Sequence, residues 1–301
     1  MSLALIFPGQ GAQSLGMEFC DEEKRLCAEK ILGSSFFSVV SEGPADLLAK
    51  TYYSQIAIFL ASASLYARLA TTNLPPIRAA AGLSLGEYSA LYAAGCLSFE
   101  QTLLFIKKRA ECMQEACTQR PGAMSAVLGL QEAEFSCIEG IEGVGIANYN
   151  TPQQFVITGD PSSVKEAGAL LAAKGGRVIP LQVEGAFHSP LMRSAQEKLR
   201  PYIETLPLKK PIFPLWMNVS AQETLSIEEI RHAMMHHMIC PVRWRDTIEA
   251  LAPSIDLWIE IGPGRTLSAM NRRMGISNTI SLQREEGIEE LTQLLRSNYA
   301  L

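Results

Sequence analysis

The stretch Ile77-Arg78-Ala79-Ala80-Ala81-Gly82-Leu83-Ser84-Leu85-Gly86-Glu87-Tyr88-Ser89-Ala90-Leu91 decides how the rest of the chain is read. Ile77 to Ala81 is an apolar run of strand length, and Glu87 to Ala94 has helical spacing and stops at Gly95. Between them, Gly82-Leu83-Ser84-Leu85-Gly86 matches G-x-S-x-G. A tight strand-to-helix turn presses backbone against backbone, where a side chain would clash, so it needs the two glycines. Such a turn lifts the serine oxygen to the top of a sheet, and the next N–H can then stabilise an oxyanion. Taken alone, the motif leaves two readings open, a nucleophile or a helix-capping serine between packing glycines.

Working outward, Leu3 to Phe7 is a second buried strand, ended by Pro8-Gly9. Gln55 to Leu69 and Glu100 to Ala116 are predicted helices, the latter carrying Lys107, Lys108 and Arg109. After Pro121-Gly122 the rhythm changes. Ala123 to Leu130 reads as a strand, Glu132 to Ile141 as a short helix, and Val144 to Asn148 and Gln154 to Thr158 as strands. Ser162 to Lys174 is a helix stopped by Gly175-Gly176, and Arg177 to Val183 a last strand. That order, βαββαβ, is the ferredoxin-like pattern. The outer parts alternate helix and strand, with Leu257 to Ile261 a clear strand, so an α/β fold with a parallel sheet is expected there. The expected division is a large unit, 1–121 with 187–301, and an inserted small unit, 122–186.

With 301 residues the chain is near the size at which one core stops growing. Hydrophobic residues make up 48% and charged residues 19%, which excludes a largely disordered chain. Lys and Arg number 26 against 31 Asp and Glu, a net charge of −5. That argues against nucleic-acid binding driven by overall charge. The apolar stretch Ile56 to Leu69 is too short to cross a bilayer, and Met1 to Phe7 lacks a signal peptide's basic flank. Seven cysteines without a Cys-x-x-Cys pair point to a reducing compartment, so a cytoplasmic location is expected.

A nucleophilic serine needs a base. His188, in Gly185-Ala186-Phe187-His188-Ser189-Pro190, follows the last strand of the small unit, and a junction loop suits a functional residue as well as a surface one. His232 and His236 have the i, i+4 spacing of zinc ligands, but Ala233 stands where a metalloprotease helix carries Glu, so a solvated helix face is expected and no metal site. Phe7-Pro8-Gly9-Gln10-Gly11 offers backbone N–H groups without being a Walker A loop. Arg109 matters only if a carboxylate must be held.

Together these residues resemble the malonyl-CoA:acyl carrier protein transacylases, the acyltransferase family of fatty-acid and polyketide synthesis. The resemblance runs nearly end to end. It includes Phe7 to Gly11, Gly82 to Tyr88, Arg109 with Met113-Gln114, Gly122-Ala123-Met124 and Asn148-Tyr149-Asn150-Thr151-Pro152. It continues through Phe187 to Met192, Asn218-Val219-Ser220, Pro241-Val242-Arg243-Trp244 and Glu260 to Gly264. It implies an α/β-hydrolase-like large subdomain with an inserted ferredoxin-like one. It also implies Ser84 as nucleophile, His188 as base, the N–H groups of Gln10 and Leu85 as oxyanion hole, and Arg109 as carboxylate clamp. Asn150 and Phe187 would contact the acyl group, Phe187 disfavouring an α-methyl branch, and the His237 carbonyl would orient His188. The implied partners are malonyl-CoA and a phosphopantetheinylated acyl carrier protein, with no nucleic acid, membrane, metal or redox cofactor, CoA thioester being the substrate. An acidic carrier would need a local basic patch, for which Arg193, Lys198, Arg200, Arg265, Arg272 and Arg273 are candidates.

The chain departs from the family at Leu83 (usually His), Ala110 (usually Gly), His237 (usually Gln) and Cys240 (often Asn). Alternatives are a free-standing acyltransferase serving a polyketide line, a thioester hydrolase with Asp160 as third triad member, and a non-catalytic carrier-binding protein, which the intact Ser84, His188, Gln10 and Arg109 argue against.

Overall fold

A computed structural model describes residues 1–17, 19 and 21–299. It contains ten strands among the described residues: β1 Leu3–Phe7, β2 Ile77–Gly82, β3 Ala123–Leu128, β4 Val144–Thr151, β5 Gln154–Gly159, β6 Arg177–Pro180, β7 Leu215–Trp216, β8 Glu223–Thr224, β9 Leu257–Ile261 and β10 Thr279–Leu282. They form two sheets. The first runs β10-β9-β1-β2-β7-β8, parallel from β10 to β7, with β8 antiparallel at its edge. The second runs β4-β5-β3-β6 and is antiparallel throughout. It is built entirely from the segment that shows the βαββαβ rhythm. The chain is thus a mixed α/β protein, as its alternation of elements implies.

Every residue of β1 and of β9 is buried, as expected for interior parallel strands covered by helices on both faces. The helix Thr51–Leu69, starting four residues before the predicted Gln55, buries most of its length beside Phe99–Gln119. The latter helix begins with a capping box. The Ser98 hydroxyl accepts from Gln101 N–H at 3.2 Å, and the Gln101 side chain accepts from Ser98 N–H at 2.9 Å. That fixed start turns Arg109 to the buried side, with 1% of its surface exposed.

The loops leaving β1, β2 and β9 all emerge at the carboxyl edge of the parallel sheet, the usual place for a site in such folds. Beside that edge the antiparallel sheet is tied to the loops that carry Phe187 and Val242. Tyr149 N–H donates to the Val242 carbonyl at 2.9 Å, Val242 N–H donates to the Ala147 carbonyl at 2.8 Å, and the Thr158 hydroxyl donates to the Phe187 carbonyl at 2.9 Å.

Besides shifts of a few residues at element ends, two elements of the 122–186 segment differ from the sequence expectation. Glu132–Ile138 is a 3-10 helix, its apolar Phe135 and Ile138 fixed by burial under the antiparallel sheet. The last strand stops at Pro180; Leu181 N–H still donates to the Met124 carbonyl at 2.9 Å, and Leu181, Gln182 and Val183 then line a cleft.

Candidate active site

The turn after β2 is held by contacts that only glycine permits. A Cβ on Gly82 would lie 1.9 Å from the Gly86 carbonyl carbon, and one on Gly86 would lie 2.1 Å from the Phe7 carbonyl oxygen. Leu83 N–H donates to that same Phe7 oxygen at 2.9 Å. The helix Gly86–Ala93 therefore starts directly over β1, and Ser84 is forced to φ +50°, a left-handed conformation rare for residues with a side chain. Asn218, 134 residues further on, secures it. Its Oδ1 accepts from Ser84 N–H at 2.7 Å, and its Nδ2 donates to the Gly82 carbonyl at 2.6 Å. Its own N–H donates to Glu87 Oε2 at 2.6 Å.

His188, also left-handed at φ +57°, brings Nε2 to 2.8 Å from Ser84 Oγ. Its Nδ1 lies 2.9 Å from the His237 carbonyl and 3.2 Å from that of Cys240. Carbonyl oxygens only accept, so Nδ1 carries the proton and the bare Nε2 faces the serine hydroxyl. Burial, with the Arg109 charge behind it, pulls His188 down to about 4, against the pull of the two carbonyls. The ring is a neutral base at ordinary pH. Among the described residues no carboxylate meets His188 Nδ1, and Asp160 pairs instead with Arg120 at 3.1 Å.

Ser84 and His188 open on a cleft of about 410 Å³ that runs between the two sheets. Gln10, Leu85, Arg109, Asn150 and Phe187 line the same cleft. Among the described residues, the N–H groups of Gln10 and Leu85 donate to no other protein group, so both are free for an oxyanion. Arg109 Nη1 donates to Gln55 Oε1 at 2.5 Å, and its guanidinium carbon stands 5.2 Å over the Tyr88 ring. Gln55 in turn reaches Gln10 Oε1 and Met113 Sδ, each at 3.4 Å. His237 lies behind the cleft, fully buried, its ring edge-on to His188 at 5.4 Å. Asn150 Oδ1 is buried with no hydrogen-bond partner among the described residues.

Other sequence candidates lie apart. His232 and His236 stack at 4.5 Å between ring centroids, away from the cleft, and no group of three or more metal-binding side chains occurs among the described residues. A larger groove of about 910 Å³ carries Arg177, Arg245 and Arg273 but no nucleophile, and two of its arginines are engaged, Arg245 with Glu132 at 2.8 Å and Arg273 with Gln154. Of the basic residues read as a patch, Arg272 and Arg273 end the helix Thr266–Arg273, whose Thr266 and Met270 border the cleft; the helix Arg193–Thr205 gives it no lining residue.

Sequence reasoning missed Asn218, Gln55, Glu87 and Tyr88 as site-building residues. Asn218, Glu87 and Tyr88 stand in the family motifs without a stated role, and Gln55 left the trace of a lone amide in an otherwise apolar helix.

A strained serine on a strand-to-helix turn, a neutral histidine and two free N–H groups are the equipment of an acyl-transferring enzyme. The sequence profile of the acyl transferase domain matches residues 4–286, and the chain belongs to that family. It is 37% identical to the malonyl CoA-acyl carrier protein transacylase of Bacillus subtilis, over 98% of this chain and 97% of that one. The malonyl-CoA:acyl carrier protein transacylase of Helicobacter pylori has the same fold, with a TM-score of 0.91 at 30% identity over 99% of both chains. A malonyl-transacylase solved in complex with a type II polyketide acyl carrier protein also superposes, with a TM-score of 0.91 at 31% identity over 98% of this chain and all of that one.

Proposed function

We propose that this chain is a malonyltransferase, moving the malonyl group of malonyl-CoA to the phosphopantetheine thiol of an acyl carrier protein and so supplying extender units for fatty-acid synthesis. The observation that carries the reading is a buried arginine sharing one cleft with a serine–histidine pair: a dicarboxylic acyl group gives that cation a partner, which an uncharged acyl group does not.

Ser84 Oγ attacks the thioester carbonyl while His188 Nε2 takes the hydroxyl proton. The carbonyl oxygen becomes an oxyanion against the N–H groups of Gln10 and Leu85, each worth about 3 kcal/mol in the transition state. The C–S bond breaks, His188 returns its proton to the CoA thiolate, and a malonyl ester remains on Ser84. The carrier thiol then attacks that ester, giving its proton to His188, which passes it to Ser84 as the C–O bond breaks. The carbonyls of His237 and Cys240 hold the imidazole by its Nδ1–H throughout. They come from the main chain, so the departures at those two positions leave this role intact. Leu83 packs beside the Trp244 and Trp258 cluster and lines the cleft, but its side chain has no group that can carry a proton.

Arg109 receives the free carboxylate; an uncharged acyl group would leave that guanidinium unpaired in a buried place. Phe187 and Asn150 flank the acyl chain. The division into a large unit and an inserted small one belongs to the same reading, the carrier approaching between them, and the protein is placed in the cytoplasm. Among the described residues no helix is long and apolar enough to cross a membrane.

The test is intact mass after incubation with malonyl-CoA and no carrier. A malonyl adduct on the wild type and none on Ser84→Ala is the expected result. No adduct and no CoA release would overturn the reading.

A further inference from the structure

The side chain of His237, distinct from its carbonyl, occupies a place the mechanism does not use. It is completely buried, and three groups close around its ring. Nδ1 lies 3.4 Å from Arg109 Nη2 and 3.3 Å from the Tyr88 hydroxyl. Nε2 lies 3.8 Å from Glu87 Oε1, and neither of those two atoms has a hydrogen-bond partner among the described residues.

The donor inventory settles the tautomer. A guanidinium has five N–H donors and no acceptor, so a ring nitrogen facing it must offer a lone pair. Nδ1 is therefore bare, and the ring proton sits on Nε2, toward the Glu87 carboxyl. Protonating Nδ1 would turn the link into a clash of donors beside a fixed positive charge. The surroundings oppose that: burial, then Arg109, then His188 push the ring well below the ordinary histidine range, and only the Ser84 carbonyl pulls the other way.

The guanidinium is thereby fixed at three points. Gln55 takes an N–H from Nη1, His237 takes one from Nη2, and Tyr88 lies under the plane. Two of five donors are engaged and three are left for an incoming carboxylate. A guanidinium recognises a carboxylate through two parallel N–H groups, so its rotation about the side-chain axis decides whether both can be used.

We propose that the His237 side chain is a positioning residue for Arg109, its bare Nδ1 holding the guanidinium in the rotation that receives a carboxylate and its Nε2–H anchored toward Glu87. His237 then serves the site twice. Its carbonyl orients the base, and its ring orients the clamp. This rests on the malonyltransferase reading and names a determinant of its selectivity.

The experiment compares wild type, His237→Leu and His237→Gln with malonyl-CoA and with acetyl-CoA, following acylation of Ser84 by intact mass. The Leu variant keeps the carbonyl and loses the acceptor. Its malonyl acylation is expected to fall about ten- to a hundredfold further than its acetyl acylation, through KM, the worth of one hydrogen bond to a charged group. The Gln variant, with an amide oxygen in reach, is expected to restore malonyl acylation. Equal losses with both substrates, or no loss with malonyl, overturn the proposal. Should the Leu variant not fold, ring nitrogen chemical shifts of the wild type decide it: His237 must show a bare Nδ1, and a protonated one overturns it. Absence of a malonyl adduct on the wild type would instead remove the malonyltransferase reading itself.

Discussion

Replacing Arg109 by Ala isolates the interaction on which selectivity depends. The guanidinium is 1% exposed, so a carboxylate reaching it leaves water almost completely. Two unit charges about 4 Å apart at an effective dielectric of about 20 attract by about 4 kcal/mol. At 1.4 kcal/mol for each tenfold, that is roughly three decades in kcat/KM for malonyl-CoA. The substitution has a second effect, because Gln55 and His237 lose the donor they share. That loss disturbs the site whatever the acyl group, so the informative quantity is the ratio of kcat/KM for malonyl-CoA to that for acetyl-CoA. It is expected to collapse by about the same three decades, with acetyl transfer reduced little or improved once the unpaired cation is gone. Transfer to carrier protein, followed by release of free CoA thiol with each donor, measures both. A ratio that moves less than about tenfold, the value of an ordinary surface ion pair or below, would refute the assignment of Arg109 as the clamp.

Asn218→Ala removes an acceptor from Ser84 N–H and a donor from the Gly82 carbonyl, both buried, and is expected to cost about 2–4 kcal/mol in denaturant unfolding together with most of the acylation rate; a cost under about 1 kcal/mol would mean the turn holds itself. Because His188 is pulled down to about 4, the base-competent neutral ring persists as pH falls and is lost only through about pH 4. Single-turnover acylation should therefore have its acid limb there, and a midpoint near the ordinary histidine value of about 6.5 would show that the base is solvated.

What could be read from the residues, and what could not, divides by distance along the chain. The nucleophile turn is local: strand, glycine, serine, glycine and helix follow one another between Ile77 and Ala93, and the steric need for both glycines is written in the motif. The antiparallel sheet was likewise visible as a rhythm, because hairpins and short crossovers keep its partners close in sequence. Asn218 was quoted as part of a family motif, yet its function arises only when a loop 134 residues away folds onto the serine amide. Gln55 was hidden for a different reason. One polar residue at the start of an apolar helix says nothing of its partner, and only the packing of Thr51–Leu69 on Phe99–Gln119 supplies Arg109. Asp160 illustrates the converse. A carboxylate could be nominated by elimination, but no sequence signal distinguishes one aimed at a histidine from one paired with Arg120. The family resemblance assigned only the His237 carbonyl; its ring, edge-on to His188, also meets Arg109, Tyr88 and, further off, Glu87, and nothing in the sequence announces those contacts.

The position of β1 has a consequence for how such a chain must be made. β1, which precedes both of its partners in the chain, lies in the middle of its sheet, paired on one flank with β2 and on the other with β9. β2 is available early, but β9 is not complete until residue 261. Throughout the intervening synthesis, β1 presents an apolar, unpaired edge of the kind that recruits strands from other chains. A nascent chain is thus exposed to aggregation until β9 has been made, and a fragment ending before residue 257 keeps that open edge permanently. The inserted antiparallel sheet, whose strands are all contained between 123 and 180, has no such dependence and can close while the rest of the protein is still being synthesised.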